Sequence, residues 1–183
     1  GSSSPRRLDL LRQVGIVPDK VIASRIDESV RLREKPIAYV NRMSLEKNLC
    51  VKKNASDYLI TADTIVVVGS RIIGKPKNID RVYECLQLLS GRRHRVYSAV
   101  TVSQLEKKLT EIVCTFVQFK HLSRLELDFY LSSNEWQGKA GAYAIQGLAS
   151  RFIRKINGSY SNVVGLPVLE TLNLLSGLGY KVI

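Results

Sequence analysis

The sequence predicts an α/β fold, a mixed β-sheet flanked by helices. Three observations carry that reading. Helical segments open on serine or proline and close on glycine; between them lie runs rich in β-branched and aromatic residues. Helices and strands alternate at first, and the later strands fall into hairpin pairs. With 183 residues the chain is expected to form one domain, 1–183, large enough to bury a real core. No internal repeat, low-complexity tract or dividing linker is visible.

Ser4-Pro5 begins the first helix, because serine is a favoured N-cap and proline at the first position gives up an amide that had no partner. Leu8, Leu11 and Val14 form its apolar stripe, and Gly15 stops it. A second helix is expected over about Pro36 to Lys53 and a third over about Ile79 to Leu89. A fourth starts at Ser123, where Ser-Arg-Leu-Glu fits a capping box. The fifth follows Pro167 and ends near Gly177. The strand-like runs are YLITADTIVVV, RIIG, RVYSAVTV, EIVCTFVQF and RFIRKI. Gly69-Ser70 between the first two suits a two-residue II′ hairpin.

Composition narrows the function. A net charge of +12 favours phosphate-bearing partners, either free nucleotides or nucleic acid. The basic residues are spread along the chain and aromatics do not interleave with them, which speaks against a nucleic-acid arm. Three scattered cysteines read as reduced thiols of a cytoplasmic protein. Two histidines without a second ligand at metal spacing leave little room for a zinc hydrolase or a Ser-His-Asp triad. No apolar run reaches the ~18 residues of a membrane span, and no signal-peptide pattern is expected at the start.

Several residues stand out as chemistry. GSSSPRR places serine hydroxyls and the guanidinium groups of Arg6 and Arg7 at a helix N-terminus, where free amides and the helix dipole also favour an anion. It reads either as a phosphate cradle or as a solvated cap with two surface arginines. Asp63 lies inside an apolar strand, so it is paired, bound to metal or at a wet edge; Lys75 of the following IIGKP is one candidate partner. In an ideal hairpin Thr64 would face Lys75, and Asp63 would point to the other side. Lys47 shares a helical stripe with Val40, Met43 and Cys50. A lysine there snorkels to the surface unless anions wait nearby. Asp27-Glu28 is either a solvated turn or a Mg²⁺ site. The glycine- and alanine-rich GKAGAYAIQG permits close approach of backbones or a ligand, and Gln146 within it can read a base edge.

Taken in order, GSSSPRR, IDES, YVNRMSLEKN, ADTIVVVGSRIIGKP, LLSGRRHRVYSAVTV, GKAGAYAIQG and INGSYSNVVGLPVLET resemble the Maf family of nucleoside triphosphate pyrophosphatases. The family's older label is septum-formation inhibitor. The resemblance implies an elongated mixed sheet with two lobes around a central cleft, as in ITPase-like proteins. It implies hydrolysis of the α–β phosphoanhydride to a monophosphate and pyrophosphate, a divalent cation (Mg²⁺ or Mn²⁺) and a homodimer. By the family's motifs, Ser2, Ser4, Arg6 and Arg7 bind phosphates, Glu28 and Asp63 hold metal, and Asp63 is the general base. Lys47 is a further site residue, and Thr64, Lys75 and Gln146 belong to the dTTP/UTP branch. Two departures are visible: Gly138 replaces the usual Asp of DKAGAYGIQG, with Ala144 for its second Gly, and RLAxxKA appears as RMSLEKN. The strand that the family places before the serine motif is missing from this sequence. Purine or modified nucleotides are the alternative substrates. A basic nucleic-acid-binding or division-regulating protein is the alternative class.

Overall fold

The structure is a computed structural model and describes residues 4–181. Helices α1 (Pro5–Gln13) and α2 (Pro36–Leu49) precede strand β1 (Tyr58–Val68). Then come β2 (Arg71–Ile73), α3 (Ile79–Leu89), β3 (Arg93–Gln104), β4 (Lys107–Phe119) and α4 (Arg124–Ser132). Two 3₁₀ turns, Ala140–Ala142 and Leu148–Phe152, lead into β5 (Ile153–Asn157), α5 (Tyr160–Val164) and α6 (Val168–Gly177). The strands form one sheet in the order β2-β1-β3-β4-β5. This is the helix-flanked sheet that the sequence predicts.

The pairing is antiparallel. Val66 to Val68 face Ile73 to Arg71, and Phe116 to Phe119 face Asn157 to Ile153 with an irregularity at Gln118/Phe119. Between β1 and β3, Thr61 bonds to Thr101 and Thr64 to Ser98, so the numbers fall on one strand as they rise on the other. Gly69 takes φ +58 in the two-residue loop from β1 to β2, as the hairpin expected there requires.

Local chemistry explains most boundaries. Ser4 occupies the N-cap of α1 with Pro5 behind it, although its hydroxyl makes no capping bond to the helix. Asn78 caps α3 by accepting from the Arg81 amide. Ser123 and Glu126 form the reciprocal capping box of α4. The second helix ends at Leu49, short of the expected Lys53, with Cys50 as its C-cap; the chain turns again at Asn54, whose amide donates to the Asp57 carboxylate at 2.7 Å. The short α5 falls within NGSYSNVVG, which carries too few apolar positions to show a helical period.

The chain divides into two compact units. Among the described residues the first comprises 4–64, 98–113 and 165–181, the second 65–97 and 114–164. The first packs Val40 and Met43 of α2, Ala62 of β1, Val100 and Val102 of β3, Leu166, and Leu175 of α6, all nearly inaccessible to water. The second is built on an aromatic cluster. His94, Phe119 and Tyr143 meet edge to face, and Phe152 links Phe119 to Tyr130. Among the described residues no helix is long and apolar enough to cross a membrane.

Candidate active site

Strand β1 carries two polar side chains in succession, and its in-out alternation breaks there. Thr61 and Ala62 are both buried, while Asp63 and Thr64 are both half-buried. Each of the latter pair meets a cation. Lys47, one face of α2 away from solvent, is only 7% exposed, and its Nζ lies 2.7 Å from Asp63 Oδ1 and 2.7 Å from Glu28 Oε1. The lysine therefore does not snorkel. The apolar stripe buries its stem, and two carboxylates receive its ammonium. Lys47 also takes the role that the strand pattern alone left open to Lys75, as the partner of Asp63.

Thr64 meets Arg7. The Arg7 Nη2 donates to Thr64 Oγ1 at 3.2 Å, and its Nε donates to the Gly165 carbonyl at 2.7 Å. Thr64 Oγ1 also bonds to Gly165 O at 3.1 Å and shares a 2.8 Å bond with the Ser98 hydroxyl. Gly165 adopts φ +137, which a residue with a side chain rarely adopts. That conformation forms part of the turn whose carbonyl faces both Arg7 and Thr64.

Electrostatics ties the two pairs together. Burial lowers the pKa of the Arg7 guanidinium; the charges of Asp63 and Glu28 act in the opposite direction, and neighbouring Arg6 adds to the lowering. Arg6 is lowered by burial as well, and its Nε is buried without a hydrogen-bond partner among the described residues. Two arginines held in poor solvent at a helix start favour an anion beside them. Neither arginine of the first turn is fully exposed, unlike those of a solvated cap. Tyr39 of α2 completes the arrangement: its hydroxyl donates to the Glu28 carbonyl at 2.8 Å. Its phenol is pushed up to about 12, first by burial and then by the charges of Asp63 and Glu28.

The structure thus brings Arg7, Glu28, Lys47, Asp63 and Thr64 together in the first unit, and Ser4 stands at the N-cap beside Arg6 and Arg7. Ser2 lies outside the described residues. Lys75 and Gln146 belong to the second unit, where both are exposed. Lys75 lies past the end of β2, in a groove with Arg71, Lys77 and Arg81. The loop bearing Gln146 is fastened by Glu135, which accepts from the Leu148 amide at 2.7 Å and from the Tyr130 hydroxyl at 3.2 Å. Gly138 has φ +68, so glycine in place of the family's aspartate suits the backbone there. Asp27, the other acid of the IDES motif, is not part of the cluster. It accepts from the amide and hydroxyl of Ser29 at 2.9 and 2.8 Å, a solvated turn.

Sequence reasoning missed Tyr39, Ser98 and Gly165. Ser98 carries no signal in a strand of valines and threonines. Gly165 stands in a VVGLP turn that looks like an ordinary helix approach. Among the described residues no group of three or more His, Cys, Asp or Glu converges as a metal cage. The carboxylates that do converge are Glu28 and Asp63.

Comparison with known proteins fits this constellation. The chain is 50% identical over 182 residues to a dTTP/UTP pyrophosphatase of Caulobacter vibrioides, with 98% of this chain and 94% of that protein covered. A dTTP/UTP pyrophosphatase of Mesorhizobium japonicum is 46% identical, covering 99% and 91%. One of Bartonella quintana is 45% identical, covering 100% and 87%. The model of the Maf family, described as Maf-like protein, matches residues 1–178. A match of that extent makes the chain a member of the Maf family.

Proposed function

We propose that the chain hydrolyses the α–β phosphoanhydride of nucleoside triphosphates, dTTP and UTP first, releasing the monophosphate and pyrophosphate. The observation that carries this reading is the meeting of Glu28 and Asp63 on the Lys47 ammonium, at 2.7 Å each, next to the Arg7–Thr64 pair. Cations and acids interleaved at one place suit a polyphosphate that arrives with its own counter-ion. A groove for nucleic-acid backbone needs only the cations. The dTTP/UTP preference rests on the relatives' activity and on Thr64, Lys75 and Gln146.

Roles follow from the chemistry. Arg6 and Arg7 of the first turn, Ser4 at its N-cap and Ser2 neutralise phosphate charge. Asp63 takes the proton of the attacking water as general base. Two carboxylate oxygens on one nitrogen are hard donors and too few for a protein cage. They fit Mg²⁺ or Mn²⁺ that draws its remaining ligands from phosphate and water. Glu28 and Asp63 would hold that ion, which supplies Lewis-acid neutralisation of the developing phosphate charge. Lys47 holds the two carboxylates together and adds a cation to the same place. Lys75 contributes charge and Gln146 the polar contact to the pyrimidine edge. A cytoplasmic homodimer belongs to the same reading, and sedimentation of the purified chain tests the dimer.

The deciding assay is pyrophosphate release from dTTP, UTP, CTP, ATP, GTP, ITP and methylated GTP, with Mg²⁺, with Mn²⁺ and with EDTA. Metal-dependent release led by dTTP and UTP is the expected result. Asp63→Asn should lower turnover by roughly 10²–10⁴-fold, the range for loss of a general base. Full turnover of that variant would sink the role of Asp63; preference for ITP or methylated GTP would move the specificity to purines.

A further inference from the structure

Glu28 sits on a stretch, residues 24–32, that has no regular secondary structure and whose residues are mostly exposed. Nothing in its own sequence explains how a carboxylate there is kept within 2.7 Å of the Lys47 nitrogen. The restraint comes from two side chains one turn apart on α2. Tyr39 donates its hydroxyl to the Glu28 carbonyl at 2.8 Å, and Arg42 donates Nη2 to the Ser29 carbonyl at 2.9 Å. Consecutive carbonyls are therefore tied to a single helix face.

Arg42 is itself fixed from several sides. Its Nε and Nη2 reach the two oxygens of Glu34 at 2.6 and 2.7 Å, a fork-on-fork pair with side chains only 13% and 9% exposed. Its Nη1 lies 3.3 Å from a Glu46 oxygen, and its guanidinium carbon stands 5.5 Å from the Tyr39 ring centre. Glu34 also accepts from the Arg31 amide at 2.9 Å, and Arg31 reaches Glu46 at 3.0 Å. The far end of the stretch is thus fastened to the same face. The pairing with Arg42 holds the Glu34 carboxyl down at about 2, so the fork persists across the neutral and mildly acidic range.

We infer that Tyr39 and Arg42 are positioning residues, which hold the backbone of Glu28 and Ser29 to α2 and thereby place the Glu28 carboxylate for its cation. This rests on the role given to Glu28 above. Neither side chain touches the reacting atoms; each acts through the main chain of the stretch that carries Glu28. Lysine cannot replace Arg42, because it cannot bridge a carboxylate and a carbonyl with one planar fork.

Two measurements on Tyr39→Phe and Arg42→Lys test the inference, each variant checked for a normal melting transition. The first is trypsin cleavage after Arg25, Arg31 and Arg33, followed by mass spectrometry. Cleavage of a transiently released stretch tracks its open population, so about threefold faster cleavage is expected for Tyr39→Phe and tenfold or more for Arg42→Lys. The second is Mn²⁺ affinity of the nucleotide-free chain by electron paramagnetic resonance, in the wild-type and Glu28→Gln backgrounds. Each variant should weaken Mn²⁺ by about three- to tenfold in the first background and have no effect in the second, since a coupled pair is non-additive. Unchanged cleavage at all three arginines in the folded variants would overturn the inference, as would an equal loss of Mn²⁺ affinity in both backgrounds. Faster cleavage in a chain whose wild type binds no Mn²⁺ would support the restraint and refute the metal role of Glu28. Should Arg42→Lys fail to fold, Tyr39→Phe, which removes one hydroxyl and no charge, decides alone.

Discussion

Replacing Lys47 by methionine isolates the charge at the centre of the site. Methionine is of similar length and stays at home among Val40 and Met43, so the stem's burial is largely kept and the ammonium is lost. Two contacts of 2.7 Å disappear, and they are unequal. Asp63 has a side chain only 13% exposed, and removing one partner of a buried pair costs about 3–5 kcal/mol. Glu28 is 44% exposed, and its pair belongs with the surface bridges worth about 0–1 kcal/mol. Water reaches both acids to some degree, so a net loss of about 2–4 kcal/mol is expected in EDTA. For a chain of this size each kcal/mol lowers the melting temperature by about 2–4 °C, giving a drop of roughly 4–16 °C. Mg²⁺ should then raise the melting temperature of the variant more than that of the wild type, because the ion meets two carboxylates with no competing ammonium. Turnover should fall while the metal-induced stabilisation grows. The assay is thermal unfolding in EDTA and across a Mg²⁺ series, beside pyrophosphate release. A variant that melts like the wild type in EDTA, or that gains no more from Mg²⁺, would show that Lys47 does not bridge the two acids in solution.

Two further outcomes concern the second unit. Burial holds the His94 imidazole down at about 4, with Nε2 bonded to the Tyr143 hydroxyl at 2.8 Å and Nδ1 without a partner. The unfolded chain takes up the proton near 6.5 and the folded chain only near 4, so stability should fall as pH drops between those values, by up to about 3 kcal/mol, and then level off. His94→Gln should flatten that part of the stability–pH curve, as read by denaturant titration; an unchanged slope would assign it elsewhere. Gly141 has φ +70, and an added Cβ would lie 2.8 Å from Val66 Cγ2. Gly141→Ala should therefore cost about 2–4 kcal/mol from left-handed strain and overpacking together, measured by urea unfolding, and a loss below 0.5 kcal/mol would show that the turn relaxes freely.

How much of this the sequence discloses depends on how far apart the interacting groups lie in the chain. Boundaries set by neighbours were legible: the Ser123–Glu126 box, the Asn78 start of α3, the Gly69-Ser70 turn and the stop at Gly177 all arise from contacts within a few residues. The end of α2 was not: the helix stops at Leu49, and no residue type in Cys50–Lys53 marks that stop. The site splits in the same way. An aspartate inside YLITADTIVVV announces that it needs a partner, and the nearby Lys75 is one candidate, although the strand period turns Asp63 to the other face. The actual partner, Lys47, is on another element. The helical stripe placed Lys47 correctly and implied the surface, since a stripe cannot show that carboxylates 16 residues ahead and 19 residues behind it will converge on the same nitrogen. The ordered motifs supplied that convergence as an expectation.

The arrangement also explains why the acids, cations and hydroxyls of this site are carried on such different supports. Asp63 and Thr64 sit on a strand anchored on one side by β3 through Thr61 and Thr64, so their backbone is fixed regardless of charge. Lys47 sits on a helix whose neighbours Val40 and Met43 are fully buried. Glu28 is on irregular chain, and Arg7, like Thr64, bonds to the carbonyl of residue 165, far along the sequence. Under the proposed function a polyphosphate and its cation would enter and leave, and strong mutual attraction of fixed charges would oppose both. Rigid placement of Asp63 and Lys47, with Glu28 held through two backbone hydrogen bonds, leaves Glu28 freer to adjust than Asp63. The expensive part of the site, its buried charge, is therefore placed on the stiffest elements, and its adjustable part is placed where exposure makes adjustment cheap.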